Sequence, residues 1–101
     1  MIARIWRGWT AVADADEYAA YVERTGIAAY RSTPGNLGAR ILRRDVDGRA
    51  EFVVLSFWDS LDAIRGFAGD DLETAVFYPE DDRFLVEREL RVAHFDVVAE
   101  A

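Results

Sequence analysis

The run Phe52-Val53-Val54-Leu55-Ser56-Phe57-Trp58 has almost no polar alternation and passes straight into Asp59-Ser60-Leu61-Asp62-Ala63-Ile64. It reads as a strand apolar on both faces, followed by a capped helix. A chain of 101 residues has too few helices to wrap a sheet twice, so the expected cover for the second face is another copy of the chain. The hydrophobic pattern therefore points to a dimer before it points to any chemistry.

The rest of the pattern gives a β-α-β-β-α-β order. Residues 2 to 10 alternate as a strand, with Ile2, Arg4, Trp6 and Gly8 on one face and Ala3, Ile5, Arg7 and Trp9 on the other. Asp14 with Glu17 three residues on has the form of a capping box, which starts a helix through Tyr18, Tyr21 and Val22. That helix is loosened at Gly26 and is over before Pro34. Leu37 to Arg44 and Ala50 to Trp58 form a hairpin about Asp47-Gly48, because such turns need positive φ angles. Asp59 or Ser60 caps the next helix, Leu61, Ile64 and Phe67 or Ala68 give its buried stripe, and Gly69 ends it. Asp70 to Tyr78 repeats a short helical pattern with Leu72, Ala75 and Val76, and Pro79 stops it. Glu80-Asp81-Asp82 reads as an exposed acidic loop, and residues 86 to 98 as one last strand that puts His94 and Asp96 on the same face. The expected fold is α+β, a ferredoxin-like subunit with a four-stranded antiparallel sheet, spanning residues 1–101 as one domain.

Composition narrows the partners. Half the residues are hydrophobic, so a packed core is within reach. The net charge of −7 disfavours nucleic acid and anionic membrane, both of which need a basic surface to displace counterions. All 12 basic side chains are arginine. No cysteine is present, so disulfides and thiolate catalysis are excluded. The chain opens directly as a strand and has no apolar run of spanning length, so a cytoplasmic protein is expected. With a single histidine the usual iron triad and the usual catalytic zinc site have too few ligands. The bland reading of His94 is a partly buried residue that either pairs with a carboxylate such as Asp96 or sits at the dimer seam.

Certain phrases carry a family likeness. Ala3-Arg4-Ile5-Trp6-Arg7-Gly8, Ser56-Phe57-Trp58-Asp59-Ser60-Leu61-Asp62-Ala63-Ile64, Phe67-Ala68-Gly69, Tyr78-Pro79-Glu80-Asp81-Asp82-Arg83-Phe84-Leu85 and His94-Phe95-Asp96-Val97-Val98 together resemble an antibiotic biosynthesis monooxygenase-type domain of the dimeric α+β barrel superfamily. The resemblance implies a homodimer whose two sheets close a barrel. Its reaction types include cofactor-free oxygenation of anthrones and quinols, and heme degradation. In heme-degrading relatives a helical Trp and the iron-ligating His fall near Phe67 and Val76 of this chain, and neither is retained. The strand Asn of those enzymes is also missing.

Cofactor-free oxygenation asks for a flat apolar slot, a base, and something that favours the substrate anion. The expected slot lies between sheet and helices, with Trp6, Trp58, Phe67 and Tyr18 holding the substrate. The candidates for chemistry are Arg4 or Arg7 for the anion and His94 or Tyr78 for the proton. No heme, flavin or metal is expected, and the partner beyond the second subunit is a small aromatic or polyketide-like phenol, quinol or anthrone. Two other classes stay open: a non-redox cyclase, isomerase or dehydratase on the same barrel, and a non-catalytic binding or accessory protein.

Overall fold

The computed structural model describes all residues, 1–101. Strand β1 (Ile2–Ala11) leads through a single 3-10 turn, Val12–Asp14, into helix α1 (Ala15–Val22). A π-helical turn, Glu23–Ile27, follows, and α2 (Ala28–Arg31) ends the helical region. The loosening expected at Gly26 is this widened turn, in which the Thr25 hydroxyl donates to the Tyr21 carbonyl at 2.8 Å. The capping box does not form. Asp14 has helical backbone angles (φ −97, ψ −4) and makes no side-chain cap, because the chain enters α1 already coiled rather than extended.

Strands β2 (Asn36–Val46) and β3 (Arg49–Trp58) pair as the expected hairpin, with Asp47 and Gly48 at φ 54 and 77 giving the left-handed two-residue turn. Ser60 caps α3 (Leu61–Ala68): its backbone is extended and its hydroxyl accepts from the Ala63 N–H at 3.1 Å. The sheet order is β2-β3-β1-β4, where β4 is Leu85–Arg88, with β1 central and antiparallel to its neighbours.

Two stretches differ from the sequence expectation. Residues 70–78 are not helical. Instead they hold a turn at residues 72–73 and a single bridge between Thr74 and Arg91, with Ala75 N–H donating to the Leu90 carbonyl at 3.0 Å and Val92 N–H to the Glu73 carbonyl at 2.8 Å. That pairing engages residues 90–92, while Glu89 N–H still donates to the Arg7 carbonyl at 3.0 Å, and the single last strand is divided into β4 (Leu85–Arg88) and β5 (Ala93–Asp96), both paired with β1. The acidic segment is likewise not a solvated loop. Asp81 opens a short helix, α4 (Asp81–Phe84), and is buried.

All the helices lie on one face of the sheet. On β3 the inward residues Ala50, Phe52, Val54, Ser56 and Trp58 are buried, whereas Glu51, Val53, Leu55 and Phe57 are half-buried. The two-sided burial expected of this strand is thus one-sided within a subunit. Behind the covered face Tyr18, Tyr21, Phe52 and Phe84 pack as an aromatic cluster, Tyr18 meeting Phe52 edge-on at 5.0 Å. No helix is long and apolar enough to cross a membrane.

Candidate active site

Sheet and helices do not close on each other everywhere. Where the π turn widens the helical layer, a recess of about 500 Å³, open mouth included, is left between it and the sheet. Arg4, Trp6 and Val54 form its floor, the α1 to α2 side supplies Tyr18 and Tyr30, and Phe67 with residues 76–78 forms the far wall. Of its 14 lining residues 10 are hydrophobic, as suits a site for a flat apolar ligand.

Register explains the floor. On β1, Arg4, Trp6 and Gly8 point inward opposite Ser56, Val54 and Phe52 of β3, the face expected from the alternation. The Trp6 indole lies over Gly8, and its N–H donates to the Glu89 carbonyl at 2.7 Å. A Cβ built on Gly8 would stand 2.4 Å from the Trp6 ring, closer than any stable contact. Gly8→Ala is therefore expected to push the indole into the recess, lower stability by about 1–3 kcal/mol, and weaken the binding of a planar ligand, as read by thermal unfolding with and without 1,8-dihydroxyanthrone.

Arg4 is the unusual member. Its side chain is inside the protein, with the residue only 3% exposed, yet its partners are uncharged: the Leu72 carbonyl at 2.5 Å, the Thr74 carbonyl at 3.0 Å and the His94 Nε2 at 3.0 Å. Phe67 lies under the guanidinium at 5.8 Å. No carboxylate pairs with it, although the other ion pairs of the chain occupy most of its remaining arginines. Three contacts leave two of the five guanidinium N–H donors over. Burial holds the Arg4 pKa below its ordinary value; the group stays charged, and its positive charge faces an apolar chamber.

His94 is opposite Arg4 in the β1–β5 register. Its neighbour is therefore a cation and not the carboxylate expected from sequence. Burial first, then the Arg4 charge, lowers its pKa, so its Nε2 serves as a neutral acceptor for Arg4. It does not line the recess. Arg7 stands on the opposite face of the sheet, exposed and paired with Glu89 at 3.4 Å. Trp58 is 0% exposed and sits behind Tyr30 and Phe67, its N–H given to the Ser56 hydroxyl at 2.9 Å. Of the sequence candidates, then, Arg4, Trp6, Tyr18, Phe67 and Tyr78 meet at the recess, and Arg7, His94 and Trp58 do not reach it.

Two further residues of the recess are not marked out by the sequence pattern: Tyr30, which packs on Phe67 at 4.7 Å, and Asp81, whose carboxylate accepts from the Tyr78 N–H at 2.6 Å. The signal for Asp81 was its position three residues after Tyr78 across Pro79, the spacing at which a carboxylate turns back onto the backbone. Burial raises the pKa values of Tyr18, Tyr30 and Tyr78, so all three phenols are neutral donors near pH 7.

A family model described as antibiotic biosynthesis monooxygenase matches residues 1–72, which include β1, the helical region, the hairpin and α3. The chain belongs to the antibiotic biosynthesis monooxygenase family. Among solved structures, a putative antibiotic biosynthesis monooxygenase from Bacillus cereus matches with a TM-score of 0.70 at 14% identity, over 99% of this chain and 95% of that one. The heme-degrader MhuD from Mycobacterium tuberculosis, with two hemes bound in its active site, matches with a TM-score of 0.62 at 20% identity, over 100% of this chain and 99% of that one. A MhuD mutant with two manganese protoporphyrin IX bound per active site gives the same TM-score, 0.62, and identity, 20%, over 100% of this chain and 98% of that one. At such identities the likeness speaks for the fold. No curated protein matches.

Heme fits this family member poorly. A porphyrin iron is held by imidazole, thiolate, thioether or phenolate, and the recess presents no His, Cys or Met. The one imidazole is turned to Arg4, and burial disfavours the phenolates.

Proposed function

We propose that this protein is a cofactor-independent monooxygenase acting on an aromatic or polyketide-like phenol, quinol or anthrone. The observation that carries the reading is Arg4: a buried guanidinium without a carboxylate, at the floor of an aromatic recess. A buried charge without a counter-ion costs stability, and it is useful where an anion forms on a ligand. Trp6, Phe67 and Tyr30 hold the ring system. Loss of a proton from the substrate gives an electron-rich phenolate or enolate, which the Arg4 charge favours and which passes electrons to dioxygen directly. For an anthrone, the methylene carbon takes one oxygen atom and becomes a carbonyl, and its two hydrogens leave with the other atom as water. The four electrons come from the substrate, so no redox cofactor is required.

Oxygen uptake by the purified protein with anthrones, quinols and related phenols tests this, with product analysis after labelled dioxygen. One labelled oxygen per product is the expected result. A product without label would replace the reading by a non-redox cyclase, isomerase or dehydratase.

The working unit in this reading is a homodimer closed by the outer faces of two sheets. Ile5, Val53, Leu55 and Phe57 are half-buried on that face, and Leu42 and Phe95 are 47% and 55% exposed, which leaves a row of apolar side chains for a second sheet to cover. Sedimentation is expected to show a dimer at micromolar concentration and a monomer for Leu55→Asp, since a carboxylate in the middle of that face would be buried unpaired. A monomeric parent would overturn it.

A further inference from the structure

We infer that Asp81 is the proton acceptor of the site, taking the phenol or enol hydrogen of a bound aromatic substrate while Arg4 faces the resulting anion; this rests on the oxygenase reading above. Asp81 is the one carboxylate that lines the recess, and it is buried, 5% exposed. Its Oδ2 is fixed by the Tyr78 N–H at 2.6 Å, and its Oδ1 carries no hydrogen bond, so one oxygen is held and the other is available. The base needs this geometry: a carboxylate whose orientation is set by backbone, on a different wall from the cation. In the transfer, the substrate O–H bond breaks toward Asp81, its electron pair stays on the substrate oxygen, and the new O–H forms on the carboxylate.

The other groups at hand are unsuited. The lone pair of His94 Nε2 already accepts from Arg4, and Tyr18, Tyr30 and Tyr78 are held neutral by burial. The surroundings of Asp81 also shape its titration. Tyr18 faces it from α1, Arg88 from β4, and Tyr78 and Asp82 from its own segment, while Tyr21 accepts from the adjacent Glu80 N–H at 3.0 Å. Burial outweighs the Tyr78 hydrogen bond and the Arg88 charge, and raises the Asp81 pKa. A carboxylate so raised is a stronger base than an exposed one. Because the ionised form is the active one, turnover should rise with pH through that raised value.

The test uses the whole protein and 1,8-dihydroxyanthrone, first without oxygen. The parent should develop the absorbance of the bound anthrone anion at a pH where the free compound is neutral. Asp81→Asn, which keeps an oxygen acceptor for the Tyr78 N–H, should still bind the probe while forming the anion at least tenfold less. Asp16→Asn, on an exposed carboxylate outside the recess that pairs with Arg43 at 3.0 Å, should behave as the parent. No anion in the parent, or an equal amount in Asp81→Asn, overturns the assignment. Oxygen is then admitted. If the anion forms and no oxygen is consumed, the oxygenase reading falls while the proton acceptor stands. If Asp81→Asn consumes oxygen with the parent's pH profile, Asp81 is not the base and the oxygenase reading survives.

Discussion

Arg4→Gln is expected to lower turnover on an anthrone or quinol by about a hundredfold or more, with binding of the neutral substrate weakened far less. The reason is differential: the guanidinium acts on charge that appears only after the proton has left, so its loss falls on kcat more than on KM. The residue also holds the 70–78 segment through the Leu72 and Thr74 carbonyls, and a loss of packing alone could slow the enzyme. Arg4→Lys separates the two effects. It keeps the charge and gives up the fork that spans two carbonyls, so it should recover a good part of the turnover if the charge matters and little if the fork does. A parent-like kcat in Arg4→Gln, at saturating substrate, would remove the basis for an anion site at the floor of the recess.

How much of this could be read from the chain depends on the range of the interaction. The Asp47-Gly48 turn, the Ser60 cap and the widened turn about Gly26 are set by neighbours within a few residues, and each stands where the pattern put it. The inward placing of Arg4 and Trp6 follows from strand alternation, and the same alternation puts Arg7 on the other face. The partner of His94 was not legible, because it depends on a β1–β5 register joining residues 90 positions apart. Nor was the non-helical course of residues 70–78. Leu72, Ala75 and Val76 have helical spacing, but Ala75 N–H and the Glu73 carbonyl bond with Leu90 and Val92, and tertiary pairing overrode a weak local preference. Asp81 stands in a run of acidic residues, and its spacing from Tyr78 across Pro79 is the one local hint that it turns inward while Asp82 stays exposed.

Trp58→Ala is expected to lower stability by about 3–5 kcal/mol, the usual cost of deleting a buried tryptophan, and to lower Tm by more than about 10 °C for a domain of this size. Trp58 is 0% exposed. Its ring meets Tyr30 edge-on at 5.7 Å and lies 5.9 Å from Phe67, so removing it leaves a void directly behind the recess wall and leaves the buried Ser56 hydroxyl without its Nε1 donor. Phe67→Ala provides the contrast. Phe67 is half-buried and borders the recess itself, so its loss should take less stability and more ligand affinity. Thermal unfolding and 1,8-dihydroxyanthrone binding on the two variants therefore give opposite orders if Trp58 is the backing and Phe67 the face. Should Trp58→Ala instead keep its Tm and lose the ligand, the indole would belong to the substrate surface after all, and the recess would have to extend past Phe67 toward β3.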